Sequence, residues 1–207
     1  FKSANGLLYF SANVAPVEFG GIDQDEPFVT DGTEFGTTHL DIEVESPAGG
    51  NVMDFTPLSS WVFFHASEFG GIAPNDIVPY YTQGDQLSTG ILGTLYQTPI
   101  YWLMPVKGKI NFCDEFNLYQ LEATDFNVNV EDIARLANPL RKEEKKPLAY
   151  INENLCIPGK DVDNDLGVEL YFSDGDNVSF SRDIFPGTGS SDGSTMSVLG
   201  QGDGGSL

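Results

Sequence analysis

Hydrophobic positions along the chain fall in short clusters, each cut off by Gly, Pro or acidic residues. Leu40-Asp41-Ile42-Glu43-Val44-Glu45 alternates apolar and acidic residues, the two-residue period of a strand with one wet face. Phe126, Val128 and Val130 alternate in the same way within the stretch from Phe116 to Val130. Trp61-Val62-Phe63-Phe64 is apolar at consecutive positions, which predicts a strand buried on both faces. Gly6 to Asn13 reads as a first strand. Ile91 to Val106 holds the densest core-forming material, with Pro99 and Pro105 limiting how far it can run as a central strand. Lys107-Gly108-Lys109 reads as a turn into Ile110-Asn111-Phe112. Leu166 to Phe172 and Val178 to Phe180 predict a hairpin around Ser173-Asp174-Gly175-Asp176-Asn177. One segment departs from the β pattern. Asn129 can cap a helix, Asp132 lies three residues on, and Ile133, Leu136 and Leu140 share one helical face. A helix is therefore predicted over about 130–138, ended by Pro139.

Part of this pattern is written twice. Glu18-Phe19-Gly20-Gly21-Ile22 returns as Glu68-Phe69-Gly70-Gly71-Ile72. Upstream, Leu8-Tyr9-Phe10-Ser11-Ala12 corresponds to Val62-Phe63-Phe64-His65-Ala66. Downstream, Pro27-Phe28-Val29-Thr30-Asp31-Gly32 corresponds to Pro79-Tyr80-Tyr81-Thr82-Gln83-Gly84. Several matches in one order imply one supersecondary unit used twice, over about 7–45 and 60–103, with length differences taken up in loops. Short strands punctuated by 23 Gly and 12 Pro point to an all-β fold: a jelly-roll-like β-sandwich or barrel with an internal duplication and one short helix. Residues 1–186 are expected to form this single domain. Residues 187–207, mostly Gly, Ser, Asp and Thr, read as an extended tail.

Charge narrows the partners. Ten basic against 31 acidic residues give a formal net charge of −21. Such a surface repels phosphate backbones and anionic lipid, so neither nucleic acid nor a membrane surface is expected as a partner. The longest apolar run, Ile100 to Val106, is far short of the roughly 20 residues a membrane-spanning helix requires. Half of the ten basic residues lie between Arg135 and Lys146. Within them Arg141, Lys142, Lys145 and Lys146 form a basic connection suited to an acidic surface on another copy. The chain begins at Phe1 without Met, which suggests a removed leader or numbering within a longer precursor. Cys113 and Cys156 are read either as one disulfide or as two buried thiols.

Candidate chemistry is sparse. Asp161, Asp163 and Asp165 stand at alternate positions and can converge on one hard cation, with Asp174 and Asp176 across the predicted hairpin as further ligands; Ca2+ is the ion such oxygen donors suit. The spacing is not that of an EF-hand, because Gly167 stands one place late and Phe172 occupies the twelfth position. Only His39 and His65 are present, too few for a multi-histidine metal centre. Gly189-Ser190-Ser191-Asp192-Gly193 has nucleophile-elbow spacing but lacks the flanking strand and helix that give the motif meaning. Tyr80, Tyr81, Tyr96, Tyr101 and Trp102 offer either core or a sugar-stacking platform. Asn177-Val178-Ser179 is a glycosylation sequon. The expectation is a non-catalytic structural subunit of a coat, a capsid or decoration shell, or a surface filament, outside the cell or on a virion surface, with copies of itself or other coat subunits as partners. The alternative is a Ca2+-dependent extracellular carbohydrate-binding module or adhesin domain.

Overall fold

The computed structural model describes residues 1–14, 25–42, 52–67, 77–92, 100–114, 117–125, 127–134, 136–137, 149–161 and 167–182. They form four antiparallel sheets in chain order. The first contains β1 (Lys2–Ala4), β2 (Leu7–Asn13), β3 (Asp25–Thr30) and β4 (Thr38–His39). The second contains β5 (Met53–Leu58), β6 (Trp61–Ser67), β7 (Ile77–Thr82) and β8 (Gly90–Ile91). The third contains β9 (Tyr101–Val106), β10 (Lys109–Cys113), β11 (Leu118–Thr124) and β12 (Asn127–Ala134). In the fourth, β13 (Leu136–Ala137) and β14 (Ala149–Ile151) both pair with β15 (Asn154–Asp161), followed by β16 (Val168–Ser173) and β17 (Val178–Arg182).

Each sheet contains a two-residue hairpin turn. Ala4 pairs with Leu7 across Asn5-Gly6, and Leu58 with Trp61 across Ser59-Ser60. Val106 pairs with Lys109 across Lys107-Gly108, and Ile151 with Asn154 across Asn152-Glu153. Positive φ at both central residues matches the twist of the flanking strands. Asn5 and Gly6 have φ of 53° and 78°, Lys107 and Gly108 45° and 77°, and Asn152 and Glu153 49° and 64°. The tight turns fix register, and register fixes which side chains face which sheet.

The first two sheets share that register. Leu8, Phe10 and Ala12 on β2 oppose Thr30, Phe28 and Glu26 on β3. Val62, Phe64 and Ala66 on β6 oppose Thr82, Tyr80 and Val78 on β7. The next step also coincides: Leu40 N–H donates to Pro27 O at 2.9 Å, and Leu92 N–H to Pro79 O at 2.8 Å.

Side chains alternate across each strand, so every inner sheet has two packed faces. Tyr9, Val29 and Leu40 of the first sheet pack on Val62 of the second. Phe63 and Leu58 look the other way, onto Ile110, Phe112 and Leu121 of the third. Met104, Cys113 and Leu118 in turn pack on Leu155, Ile157 and Tyr171 of the fourth. The result is a sandwich-like stack in chain order.

One expectation is corrected. The segment expected as a helix forms β12 up to Ala134, followed by the short β13; no α-helix occurs among the described residues. A register shift between Leu118 and Tyr119 opposite β12 explains the misleading pattern. Val128 and Val130 before it pack toward the second sheet, Ile133 and Ala134 after it toward the fourth. The bulge breaks the two-residue period into one that resembles a helical face. Cys113 and Cys156 are both buried and are not joined in a disulfide, which selects the second of the two readings left open for them. The all-β expectation holds; the first three sheets are meanders of consecutive strands, and in the fourth both β13 and β14 pair with β15, whereas a jelly roll would exchange strands between two sheets. No helix among the described residues is long and apolar enough to cross a membrane.

Candidate functional site: the turn edge and the outer face of the first sheet

Because the strands run antiparallel, the hairpin joining strands one and two of a sheet lies at the same edge as the turn joining strands three and four. That edge carries a recurring device. Thr30 Oγ1 accepts from Gly32 N–H at 3.0 Å, Thr82 Oγ1 from Gly84 N–H at 3.0 Å, and Ser173 Oγ from Gly175 N–H at 3.1 Å. The intervening acids close the turns. Asp31 Oδ1 accepts from Thr33 N–H at 2.8 Å and from the Thr33 hydroxyl at 2.7 Å. Asp174 Oδ1 accepts from the N–H groups of Asp176 at 3.0 Å and Asn177 at 2.8 Å. Hydrogen bonds to the charged form hold both carboxyls below the usual carboxylate range, led by the Thr33 hydroxyl at Asp31 and the Asn177 N–H at Asp174.

The same edge ties each sheet to the next. Asn5 Nδ2 donates to Ser60 O at 3.0 Å, joining the first sheet to the second. Trp61 Nε1 donates to Thr124 O at 2.7 Å and Gln83 Nε2 to Asp125 O at 3.1 Å, joining the second to the third. From the third to the fourth, Lys107 Nζ donates to Asn154 Oδ1 at 3.2 Å, and Ser173 Oγ donates to Asn111 Oδ1 at 2.6 Å. Lys109 Nζ pairs with Glu122 of its own sheet and Asp176 of the next. Its hydrogen bonds to Asp176 and then Glu122 raise its pKa.

At two sheets, the turn glycine is where the preceding sheet arrives. A Cβ on Gly84 would stand 2.9 Å from Leu7 Cδ1 and 3.0 Å from the Tyr9 hydroxyl. A Cβ on Gly175 would meet the Val106 carbonyl oxygen at 3.3 Å. Burial, and then the Asp85 charge, raises the pKa of the Tyr9 phenol lodged here. Gly32 has a comparable φ of 93°, yet nothing lies within 4 Å of the corresponding point.

That difference marks the outer face of the first sheet. Leu8 is 37% exposed there, whereas its register equivalent Val62 is fully buried. Phe10, Phe28 and His39 form a half-open stack, with ring centroids 5.5 Å and 4.8 Å apart. The equivalent pair Phe64 and Tyr80 stacks at 5.5 Å inside the core. An open groove of about 590 Å3 runs beside Leu8, between the Asn5-Gly6 hairpin and the Thr30–Gly32 turn.

Of the acids expected to hold Ca2+, Asp174 caps its turn and Asp176 pairs with Lys109. The side chains of Asp161, Asp163 and Asp165 lie outside the described residues, as do Arg141, Lys142, Lys145, Lys146, the two Glu-Phe-Gly-Gly-Ile segments, the nucleophile-elbow spacing and residues 187–207. Among the described residues no cluster of three or more His, Cys, Asp or Glu is arranged to hold a metal. Tyr80 and Tyr81 belong to the core rather than to an exposed platform; Tyr81 meets Trp61 edge-on at 5.4 Å. His65 is buried, with Nδ1 3.8 Å from Asp54 Oδ2, and His39 Nε2 lies 3.8 Å from Glu26 Oε2. Burial pushes the Cys156 thiol up to about 11, away from nucleophilic use. Sequence reading missed the turn edge because Ser173-Asp174-Gly175 reads equally as ligands; its likeness to Thr30-Asp31-Gly32 and Thr82-Gln83-Gly84 was the available signal.

No protein-family model, curated protein or solved structure matches the chain.

Proposed function

We propose that the chain is a non-catalytic structural subunit, of the kind that builds a coat, shell or surface filament, and that it works by stacking one repeated four-stranded unit on the next. The observation that carries this reading is the use of polar side chains along the turn edge. Trp61, Gln83, Lys107, Lys109 and Asn111 make contacts from one sheet to its neighbour, so the polar side chains along this edge are used to hold the stack together. The shared register of the first two sheets, with a two-residue hairpin in all four and positive φ at both of its central residues in three, supports a repeated unit. Repeated units that each bury a face on the next make extended scaffolds with long surfaces for contact.

Native mass measurement and electron microscopy of the purified protein, across protein concentration, ionic strength and chelator, test the proposal. Regular assemblies are expected. A particle that stays at the 22.5 kDa monomer mass under every condition would remove the structural-subunit reading.

A further inference from the structure

We propose that Asn177 is the acceptor of an N-linked oligosaccharide. The inference goes beyond the assembly reading and is independent of it; it rests on the expectation that the chain works outside the cell. Asn177-Val178-Ser179 is the sole Asn-x-Ser/Thr tripeptide in the chain. A sequon has meaning only on an accessible surface turn, and the structure supplies one. Asn177 closes the turn between β16 and β17. Its N–H donates to Asp174 Oδ1 at 2.8 Å, and its carbonyl accepts from Asp174 N–H at 3.2 Å. Val178 packs on the core shared by the third and fourth sheets. Alternation turns Ser179 to the other side, and Asn177 and Ser179 are both exposed. The amide that would carry the glycan and the hydroxyl that the transferring enzyme reads therefore both stand in solvent. Two tripeptides of the weaker Asn-x-Cys form, Asn111-Phe112-Cys113 and Asn154-Leu155-Cys156, offer no such place, since both thiols are 1% exposed.

The transfer is a substitution at carbon. Asn177 Nδ2 bonds to the anomeric carbon of an oligosaccharide carried on a lipid pyrophosphate. The anomeric C–O bond breaks, its electron pair leaves with the pyrophosphate, and Nδ2 gives up one of its two protons. The fold accommodates the product. The Asn177 amide also hydrogen-bonds the Asp174 carboxylate, and a substituted Nδ2 keeps one N–H for that bond. Contacts across the junction with the third sheet are made by Asn154, Ser173, Gly175 and Asp176, so a bulky group on Asn177 displaces none of them. Among the described residues β17 pairs with β16 alone. A soluble oligosaccharide beside such an end strand hinders edge-to-edge pairing with another chain.

The test is the full chain secreted from a eukaryotic cell behind a cleavable leader, weighed intact before and after peptide N-glycosidase in heavy-oxygen water. Wild type should carry one glycan step above 22.5 kDa. The enzyme should remove that step and leave residue 177 as an Asp labelled with heavy oxygen. Asn177→Gln and Ser179→Ala should both lack the step, and Ser179→Thr should keep it. A wild type of bare mass overturns the site, and so does a step that survives in Ser179→Ala. Transfer precedes export, so chain retained in the cell is digested and weighed in the same way, and a variant that fails to leave the cell is still decided. Either result leaves the structural-subunit reading to its own measurement of assembly.

Discussion

Trp61 donates its indole N–H to the backbone carbonyl of Thr124 at 2.7 Å, across the junction of the second and third sheets. The ring also packs against the core shared by those sheets and meets Tyr81 edge-on. Trp61→Phe keeps an aromatic ring but deletes the donor. A net hydrogen bond contributes about 1 kcal/mol, and some ring packing is lost as well, so thermal or urea unfolding should show a loss of about 1–2 kcal/mol. A variant as stable as wild type would mean that the bond is replaced by water at no cost.

Gly84 and Gly32 form a matched pair of tests. Both sit at positive φ, 102° and 93°, so alanine at either is strained by at least about 1 kcal/mol. Only Gly84 also lies under Leu7 and Tyr9. Gly84→Ala should therefore cost about 1–3 kcal/mol more than Gly32→Ala, the range for overpacking a well-filled site. Equal losses in denaturant melts would show that the first sheet yields freely at this junction.

Acid should weaken the turn edge in a defined direction. Asp31 and Asp174 have folded pKa values below their unfolded ones. Their contribution is thus complete above the unfolded value, about 3.9, and is lost as pH falls through the lowered folded values. Melting temperature should hold down to about pH 5 as far as these groups decide it, then decline below about pH 4. An Asp31→Asn/Asp174→Asn variant should show a shallower acid limb; an unchanged limb would assign the acid response to other carboxylates.

The thiols give a fourth test. Cys113 and Cys156 are buried, and Cys156, with its pKa raised to about 11, is protonated at neutral pH. Ellman's reagent should find neither thiol in the native protein at pH 7.5 and both after denaturation without reductant. Fewer than two thiols in the denatured, unreduced protein would indicate a disulfide.

Legibility in the sequence tracked how regular the alternation was. Leu8 to Ala12 and Val62 to Ala66 could be aligned by eye because both are nearly continuous apolar runs, and the structure gives them one register. The corresponding strands of the third and fourth sheets begin Lys109-Ile110-Asn111-Phe112 and Asn154-Leu155-Cys156-Ile157. There a buried asparagine and a cysteine replace the aromatic residues of the forward face, and the kinship is hidden. Asn111 is tolerated in that place because Ser173 and Gly175 supply partners from the next sheet, a compensation no single segment reveals. The hairpin about Ser173–Asn177 was legible from turn chemistry alone. Beyond β12, one bulge was enough to turn a strand into an apparent helix. The open outer face of the first sheet was legible least, since Leu8 and Phe10 look like ordinary core residues until the face they present is seen to be open.

All the ladders of the first three sheets join segments that are neighbours in the chain, and those of the fourth span only a short excursion. Little loop entropy is spent before each sheet forms, which favours fast, local folding. It also means that a whole four-stranded unit can be gained or lost without rethreading the remainder. For such a chain, length is an adjustable quantity, and a genetic duplication of about one sheet would lengthen the stack while leaving each junction as it was.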